Sequence, residues 1–406
     1  MVDYHTNKDI VQQIRQGKIE IFGDADERID ILLAGDLCPI GTAERQCLAG
    51  NMKEIYGNLL PRLEDKDISI VNLECPLTEA QEPILKSGPH LKAHPACVEI
   101  LKTGKFDVAA LANNHIMDYG WAGLRDTLEV CRENGIRTVG AGKDLDEAGE
   151  ILYLERKGIR VAIVNAAEHE FSIAGDRRPG ANPLDPVGNY YKIKEARRNA
   201  HHVLAIVHAG KEHYPLPTPS LVRTFHFYID AGASAVIGHH SHCAGGIEIY
   251  CSAPIIYGLG NFMFDWPTET FEPWFEGFLA RLAVSKSAVD AVELIPYRQY
   301  KEENGLARLQ DTERRQFLNE IADYSKSIRD PAMLASSWRQ LGQARRYEYI
   351  RHLLNLNKLE RLLLKKGVGL TRILDKKKLL KTLNILRCQS HRELAIQVLE
   401  DEIGEE

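Results

Sequence analysis

The chain has 406 residues, 44% of them hydrophobic, enough to bury one large core or two ordinary ones. Its formal net charge of −6 gives no global reason to expect nucleic acid, and the N-terminal stretch to Asp30 holds no apolar run of signal-peptide or membrane-span length. The eight cysteines, at 38, 47, 75, 97, 131, 243, 251 and 388, form no CxxC pair and no short framework spacing, the pattern of reduced thiols in a cytoplasmic protein.

In chain order, short runs of Val, Ile, Leu and Ala predict buried strands at Ile31–Leu37, Ile68–Leu73 and Val108–Ala112. An amphipathic helix follows over Trp121–Asn134, closed by Gly135. Further strands are expected at Thr138–Ala141, Val161–Ala166 and Val203–Val207, then a helix over Pro219–Ala231 closed by Gly232, then a strand at Ala235–Gly238. Two hairpins come next. Gly246–Cys251 turns at Ser252–Ala253 into Pro254–Tyr257, and Phe278–Val284 leads to Ala291–Pro296. Such alternation predicts a layered α/β sandwich with mixed sheets and outer helices.

Beyond Tyr300, glycine and β-branched residues thin out while Leu, Lys and Arg take over. The region from Asp311 to Glu402 reads as four or five helices, with Tyr349, Leu353, Leu356, Leu359 and Leu363 on one stripe ended by Gly367. The expected organisation is an N-terminal extension (1–28), an α/β domain (29–298) and a basic helical C-terminal region (299–406). No internal repeat or low-complexity tract interrupts it.

Five of the strand-like runs end in residues able to bind a metal: Gly35-Asp36-Leu37-Cys38, Asn72-Leu73-Glu74, Asn113-Asn114-His115, His208-Ala209-Gly210 and Gly238-His239-His240-Ser241-His242. The carboxyl ends of strands converge on one crevice in an α/β sheet, and carboxylate, amide oxygen and neutral imidazole suit divalent Mn, Zn or Fe. Singly each signal is weak, because Gly-Asp after a strand is usually a turn and a lone His is usually structural. Five in order, ending in three imidazoles within four positions, point to a metal site. A carboxylate bridging two ions supports in-line displacement.

The ordered motifs Gly35-Asp36, Asn72-Leu73-Glu74, Ala112-Asn113-Asn114-His115-Ile116-Met117-Asp118-Tyr119-Gly120, His208-Ala209-Gly210-Lys211-Glu212, His239-His240-Ser241-His242 and Tyr257-Gly258-Leu259-Gly260-Asn261-Phe262 resemble the CapA family of capsule and poly-γ-glutamate synthesis proteins. That family is similar in turn to the calcineurin-like metallophosphoesterases. The resemblance covers about residues 29–298 and implies an αββα metallophosphoesterase-like sandwich holding two divalent ions. It implies that Asp36 binds one ion with His242, that Glu74 bridges both, and that Asn114, His208 and His240 complete the second. His115 becomes the general acid or an oxyanion clamp, oriented by Asp118. Asn113, His239, Glu212 and Asn261 fall near the site as ligands or outer partners.

Two positions depart from the phosphoesterase pattern. Cys38 stands where a histidine is usual, either as a soft thiolate ligand or as a space-filling thiol, and Glu74 stands where aspartate is usual. The resemblance implies a hydrolase of phosphoester or amide bonds in capsule or exopolysaccharide metabolism, acting on an anionic small molecule or polymer. Two alternatives remain open: a scaffolding subunit of capsule assembly, and metal-assisted proton abstraction beside a carbonyl. Between Arg345 and Arg387, thirteen Lys or Arg face three acids. That run, with Lys365-Lys366 and Lys376-Lys377-Lys378, reads as a solvated helical face or as a patch for polyanions or an acidic membrane surface.

Overall fold

Near-continuous apolar runs form strands buried on both faces, and their two alternating sets of side chains build different cores. The computed structural model describes residues 8–23, 27–266, 270–299, 305–353, 362 and 376–403. Among these, a nine-stranded mixed sheet contains β1 (Lys18–Glu20), β2 (Arg28–Cys38), β3 (Ile68–Leu73), β4 (Val108–Ala110), β5 (Arg137–Val139), β14 (Asn261–Phe264), β15 (Glu276–Ser285), β16 (Val289–Gln299) and β17 (Leu306–Arg308). A six-stranded sheet contains β7 (Leu152–Arg156), β8 (Ile159–Ala167), β10 (His202–His208), β11 (Ala235–His239), β12 (Ile247–Tyr250) and β13 (Ala253–Ile256). The short strands β6 (Ala141–Gly142) and β9 (Gly180–Ala181) pair with each other.

The chain folds into an αββα sandwich. Ile31, Leu33 and Ile70 of the first sheet share a core with Leu204, Ile206 and Ile237 of the second. The alternate residues Leu32, Val71 and Ala109 pack instead with Ile100, Leu101 and Leu124 of the outer helices Val98–Thr103 and Gly120–Glu133. On the far side, Val203, Ala205 and Val207 pack with Ile193 and Phe225 of the helices Pro186–Asn199 and Pro219–Ala231. Asp185 and Thr218 cap those two helices, each followed by a proline whose missing N–H has no helical partner to lose.

The parallel strands β2 to β5 lie side by side, as do β8, β10 and β11, so the carboxyl ends of both sheets open toward one region. Both expected hairpins form, the first turning through Cys251 and Ser252 at φ 48° and 62°. The expected strand Thr138–Ala141 divides instead. Gly140, at φ +93°, breaks it, leaving β5 in the large sheet and β6 in the small ribbon.

The compact units are Met1–Leu334 and Ala335–Glu406. The N-terminal helix Lys8–Gln16 and β1 bury Ile10, Ile14 and Ile19 in the inter-sheet core, and β1 pairs with β16. In the same core the helix Asp311–Ile328 buries Phe317, Leu318, Ile321 and Ala322. The compositional change near residue 300 marks a switch from strand to helix within one packed body. The second unit contains the helices Arg346–Leu353, Lys376–Arg387 and Gln389–Ile403, the last two packed on each other. Leu356, Leu359, Leu363, Gly367, Lys365 and Lys366 lie outside the described residues. Among the described residues no helix is long and apolar enough to cross a membrane.

Candidate metal centre

Register places the first acidic residues. Asp36 on β2 aligns with Asn72 on β3, and Glu74 follows one residue beyond β3. His208 on β10 aligns with His239 on β11. β14 adds itself beside β2, aligning Asn261 with Asp36. That pairing requires Gly35. A Cβ there would lie 1.9 Å from the Gly260 carbonyl oxygen, which accepts the Asp36 N–H at 3.1 Å. The Gly-Asp and Leu-Gly-Asn motifs are two halves of one close approach.

Two groups of ligand atoms, each within 4.8 Å of one another, result: Asp36, Glu74 and His208, and Glu74, His240 and His242. Glu74 belongs to both. His208 Nε2 lies 3.4 Å from Glu74 Oε1, 3.0 Å from His240 Nδ1 and 3.0 Å from Asn114 Oδ1. His242 lies 3.5 Å from Glu74 Oε1 through Nε2 and 3.5 Å from Asp36 Oδ2 through Nδ1. The groups pair Asp36 with His208 and His240 with His242, whereas the resemblance pairs His208 with His240; the contact between those two rings joins all six residues into one cluster. His240 and His242 aim their rings from left-handed backbone, φ 83° and 55°, a strained conformation typical of functional sites.

The electrostatics fit cations. Glu74 is fully buried, and neither carboxylate oxygen has a hydrogen-bond partner among the described residues. A carboxylate so placed is costly unless a positive charge meets it. Burial pushes the Glu74 carboxyl well above its ordinary pKa, opposed by His242 and reinforced by Asp36. Burial also opposes charge on His242, yet Glu74 and Asp36 push it up to about 10. Burial and the nearby His240 hold His208 well below its ordinary value, and burial and His242 lower His240 to about 4. Those two imidazoles are therefore in the neutral form that binds metal. A buried set of two carboxylates and three imidazoles in two groups, with Glu74 common to both and without a hydrogen-bond partner among the described residues, is a dinuclear divalent-metal site.

An outer ring holds these ligands. His239 Nδ1 donates to Asp36 Oδ1 at 2.8 Å, and Asn72 Nδ2 donates to the same oxygen at 2.9 Å. Burial penalises the Asp36 charge, but His239 and His242 outweigh it and hold the carboxyl well below its usual range. Asn261 Oδ1 accepts from His242 Nδ1 at 2.9 Å, while its amide donates to the Trp274 carbonyl at 3.2 Å. Asn113 shapes the turn, donating to the Leu73 carbonyl and accepting from the His115 N–H. Cys38 joins neither group. It is buried in the core beside Cys75, and burial with that neighbour pushes its thiol well up. Glu212 lies outside both groups; its side chain is 44% exposed, and its charge interacts with those of His240 and His242.

His115 stands beside the ligands with an orienting system of its own. Its Nδ1 donates to Asp118 Oδ2 at 2.7 Å, and that oxygen also accepts the Leu91 N–H at 2.6 Å. The other Asp118 oxygen pairs with Lys86, whose Nζ lies 3.2 Å from His115 Nδ1. Burial lowers the His115 pKa although Asp118 opposes the shift. Lys86 escapes sequence reasoning because a single lysine in a Pro- and Gly-containing loop reads as solvated, yet its side chain is only 3% exposed. Asn72 was visible only as part of its motif. Glu170, 3.3 Å from the Asn114 amide nitrogen, carries no sequence signal because its segment ends no predicted strand in a motif.

A family model described as bacterial capsule synthesis protein PGA_cap matches residues 30–266. The chain is similar to the capsule biosynthesis protein CapA of Bacillus anthracis, 32% identical over 52% of this chain and 54% of that protein. It is 30% identical to the PGA biosynthesis protein CapA of Bacillus subtilis over 59% of this chain and 64% of that one. A probable polyglutamine synthesis accessory protein of Mycobacterium tuberculosis is 32% identical over 52% and 60% respectively. The chain thus spans between 54% and 64% of the length of these curated relatives. A solved structure described as a novel phosphatase from Mycoplasma pneumoniae aligns over 66% of this chain and 93% of its own, at 17% identity and a TM-score of 0.42.

Proposed function

Because the chain belongs to the bacterial capsule synthesis family PGA_cap, we propose that it is a divalent-metal-dependent hydrolase of phosphoester or amide bonds serving capsule or poly-γ-glutamate-like polymer metabolism. The observation that carries this reading is Glu74, a buried carboxylate shared by two ligand groups with both oxygens unpartnered among the described residues. Asp36, Glu74, Asn114, His208, His240 and His242 would hold the ions. Bound there, two divalent ions supply Lewis acidity and make water a nucleophile at neutral pH.

The protein's own groups supply the rest. Asp118 fixes His115 through Nδ1, leaving Nε2 to exchange a proton with a leaving oxygen or nitrogen. Lys86 balances the Asp118 charge, so the carboxylate orients the imidazole without being left as an uncompensated buried anion. Asn261 holds His242 with Nε2 turned to Glu74. The substrate in this reading is an anionic small molecule or polymer. We place the activity in the cytoplasm, a reading supported by cysteines without framework spacing.

The test is chelation and reloading. Metal-stripped protein should be inert, and added Mn or Zn should restore hydrolysis within a panel of phosphoesters and γ-glutamyl amides. In 18O water the label should enter the product. Equal turnover without metal, or deuterium uptake at substrate carbon in place of 18O incorporation, would sink the hydrolase reading.

A further inference from the structure

Strand β8 ends at Ala167, and the segment Glu168–Ser172 that follows is tied at both ends to ligand-bearing loops. The Glu168 N–H donates to the carbonyl oxygen of His208 at 3.0 Å, and Glu168 Oε2 accepts the Gly210 N–H at 3.3 Å. At the other end, Ser172 Oγ donates to the Asn114 carbonyl at 2.7 Å. Between these anchors lies Glu170. Its Oε2 accepts from Asn114 Nδ2 at 3.3 Å, and its Oε1 stands 3.7 Å from His240 Nε2.

Both contacts have a direction. A carboxylate accepts only, so the amide end facing Glu170 must be Nδ2, which turns Asn114 Oδ1 inward to His208 Nε2 at 3.0 Å. The same anion favours the proton of neutral His240 on Nε2, leaving the Nδ1 lone pair facing inward, 3.0 Å from His208 Nε2. We propose that Glu170 is a positioning residue of the metal centre, whose single carboxylate sets the amide orientation of Asn114 and the tautomer of His240 from outside the cluster. The assignment rests on the divalent-metal reading of the site. It adds a residue absent from every motif of the sequence and makes the segment after β8 a strap of the ligand cluster.

The experiment uses the full chain with Glu170→Ala and Glu170→Gln, and Zn2+ and Co2+ as probes. Competition with a chromophoric chelator should show one of the two ions bound about 10–100-fold more weakly in Glu170→Ala, the usual cost of losing an outer partner of a ligand. Glu170→Gln, whose amide oxygen still accepts from Asn114 Nδ2, should recover part of the loss. Thermal unfolding of the metal-free variants should match the parent. At saturating Co2+ the visible absorption should also match, because the ligands themselves are unchanged. Variants that bind both ions like the parent overturn the assignment. So does an altered Co2+ band, which makes Glu170 a ligand, or lowered metal-free stability, which makes the segment a folding element. A parent protein that binds no ion overturns the hydrolase reading together with this one.

Discussion

Glu74 Oε1 and His242 Nε2 face each other at 3.5 Å without a hydrogen bond between them. Against burial, Glu74 and Asp36 push His242 up to about 10, so near neutrality its imidazole holds a proton that a cation must displace. Coordination needs neutral imidazole and ionised carboxylate, so loading must expel that proton. Calorimetry in buffers of different ionisation enthalpy should therefore report about one proton released from this pair. Apparent affinity should rise about tenfold per pH unit from about pH 7 to 9, and flatten above about pH 10. Glu74→Gln removes the shared carboxylate and should weaken both ions together; loss of one ion alone would refute bridging. His115→Ala should leave metal content intact while lowering turnover by about 10²–10⁴ for poor leaving groups, and much less for nitrophenolate esters, which need little protonation. Loss of an ion in that variant would make His115 a ligand. Residues of this kind were legible because carboxylate, amide and imidazole types recur at strand ends. Lys86 and Glu170 were not, because each acts through a partner 32 or 56 positions away, and nothing local marks either one.

Elements carry these side chains only when neighbouring strands approach closely enough. The apolar runs that became β2, β3, β10 and β11 were legible because strands buried on both faces admit little but Val, Ile, Leu and Ala. β14 was not, since Asn261-Phe262-Met263-Phe264 reads as a motif until its register with β2 is seen. Gly140 likewise looks like an ordinary strand glycine until its positive φ divides β5 from β6. Gly35 tests the idea that the close approach of β14 sets the site. In Gly35→Ala the new methyl meets the backbone oxygen of Gly260 at 1.9 Å, which no rotamer change relieves. Overpacking of this kind costs about 1–3 kcal/mol. β14 must also shift, taking with it Asn261, the partner of His242. Gly35→Ala should therefore lower both the unfolding temperature and metal affinity. Gly23→Ala, with nothing within 4 Å of its Cβ, should change neither. A destabilised Gly35→Ala that still binds metal like the parent would separate strand approach from the site.

At the scale of the whole chain, composition located a change of secondary structure and contacts located the division of the body. Removing everything after about residue 305 would strip Phe317, Leu318, Ile321 and Ala322 from the inter-sheet core. Such a truncation tests folding. Ending the chain at Leu334 instead leaves the first compact unit whole and removes the run in which thirteen Lys or Arg face three acids. The ligand cluster and His115 lie within the first unit, so turnover of a small substrate should be unchanged by that cut. Binding to polymer is a separate matter. Clustered cations concentrate anions near them, and the attraction falls as salt shortens the Debye length from about 10 Å at 0.1 M to about 3 Å at 1 M. If the basic unit recruits an acidic polymer or surface, the full chain should bind poly-glutamate or anionic vesicles at low salt and release them at high salt. The chain ending at Leu334 should then bind neither. Polymer hydrolysis should become salt-sensitive in the full chain alone, through KM with kcat unchanged. Salt-insensitive binding in both forms, or equal binding by both at low salt, would reduce the basic unit to a solvated helical face.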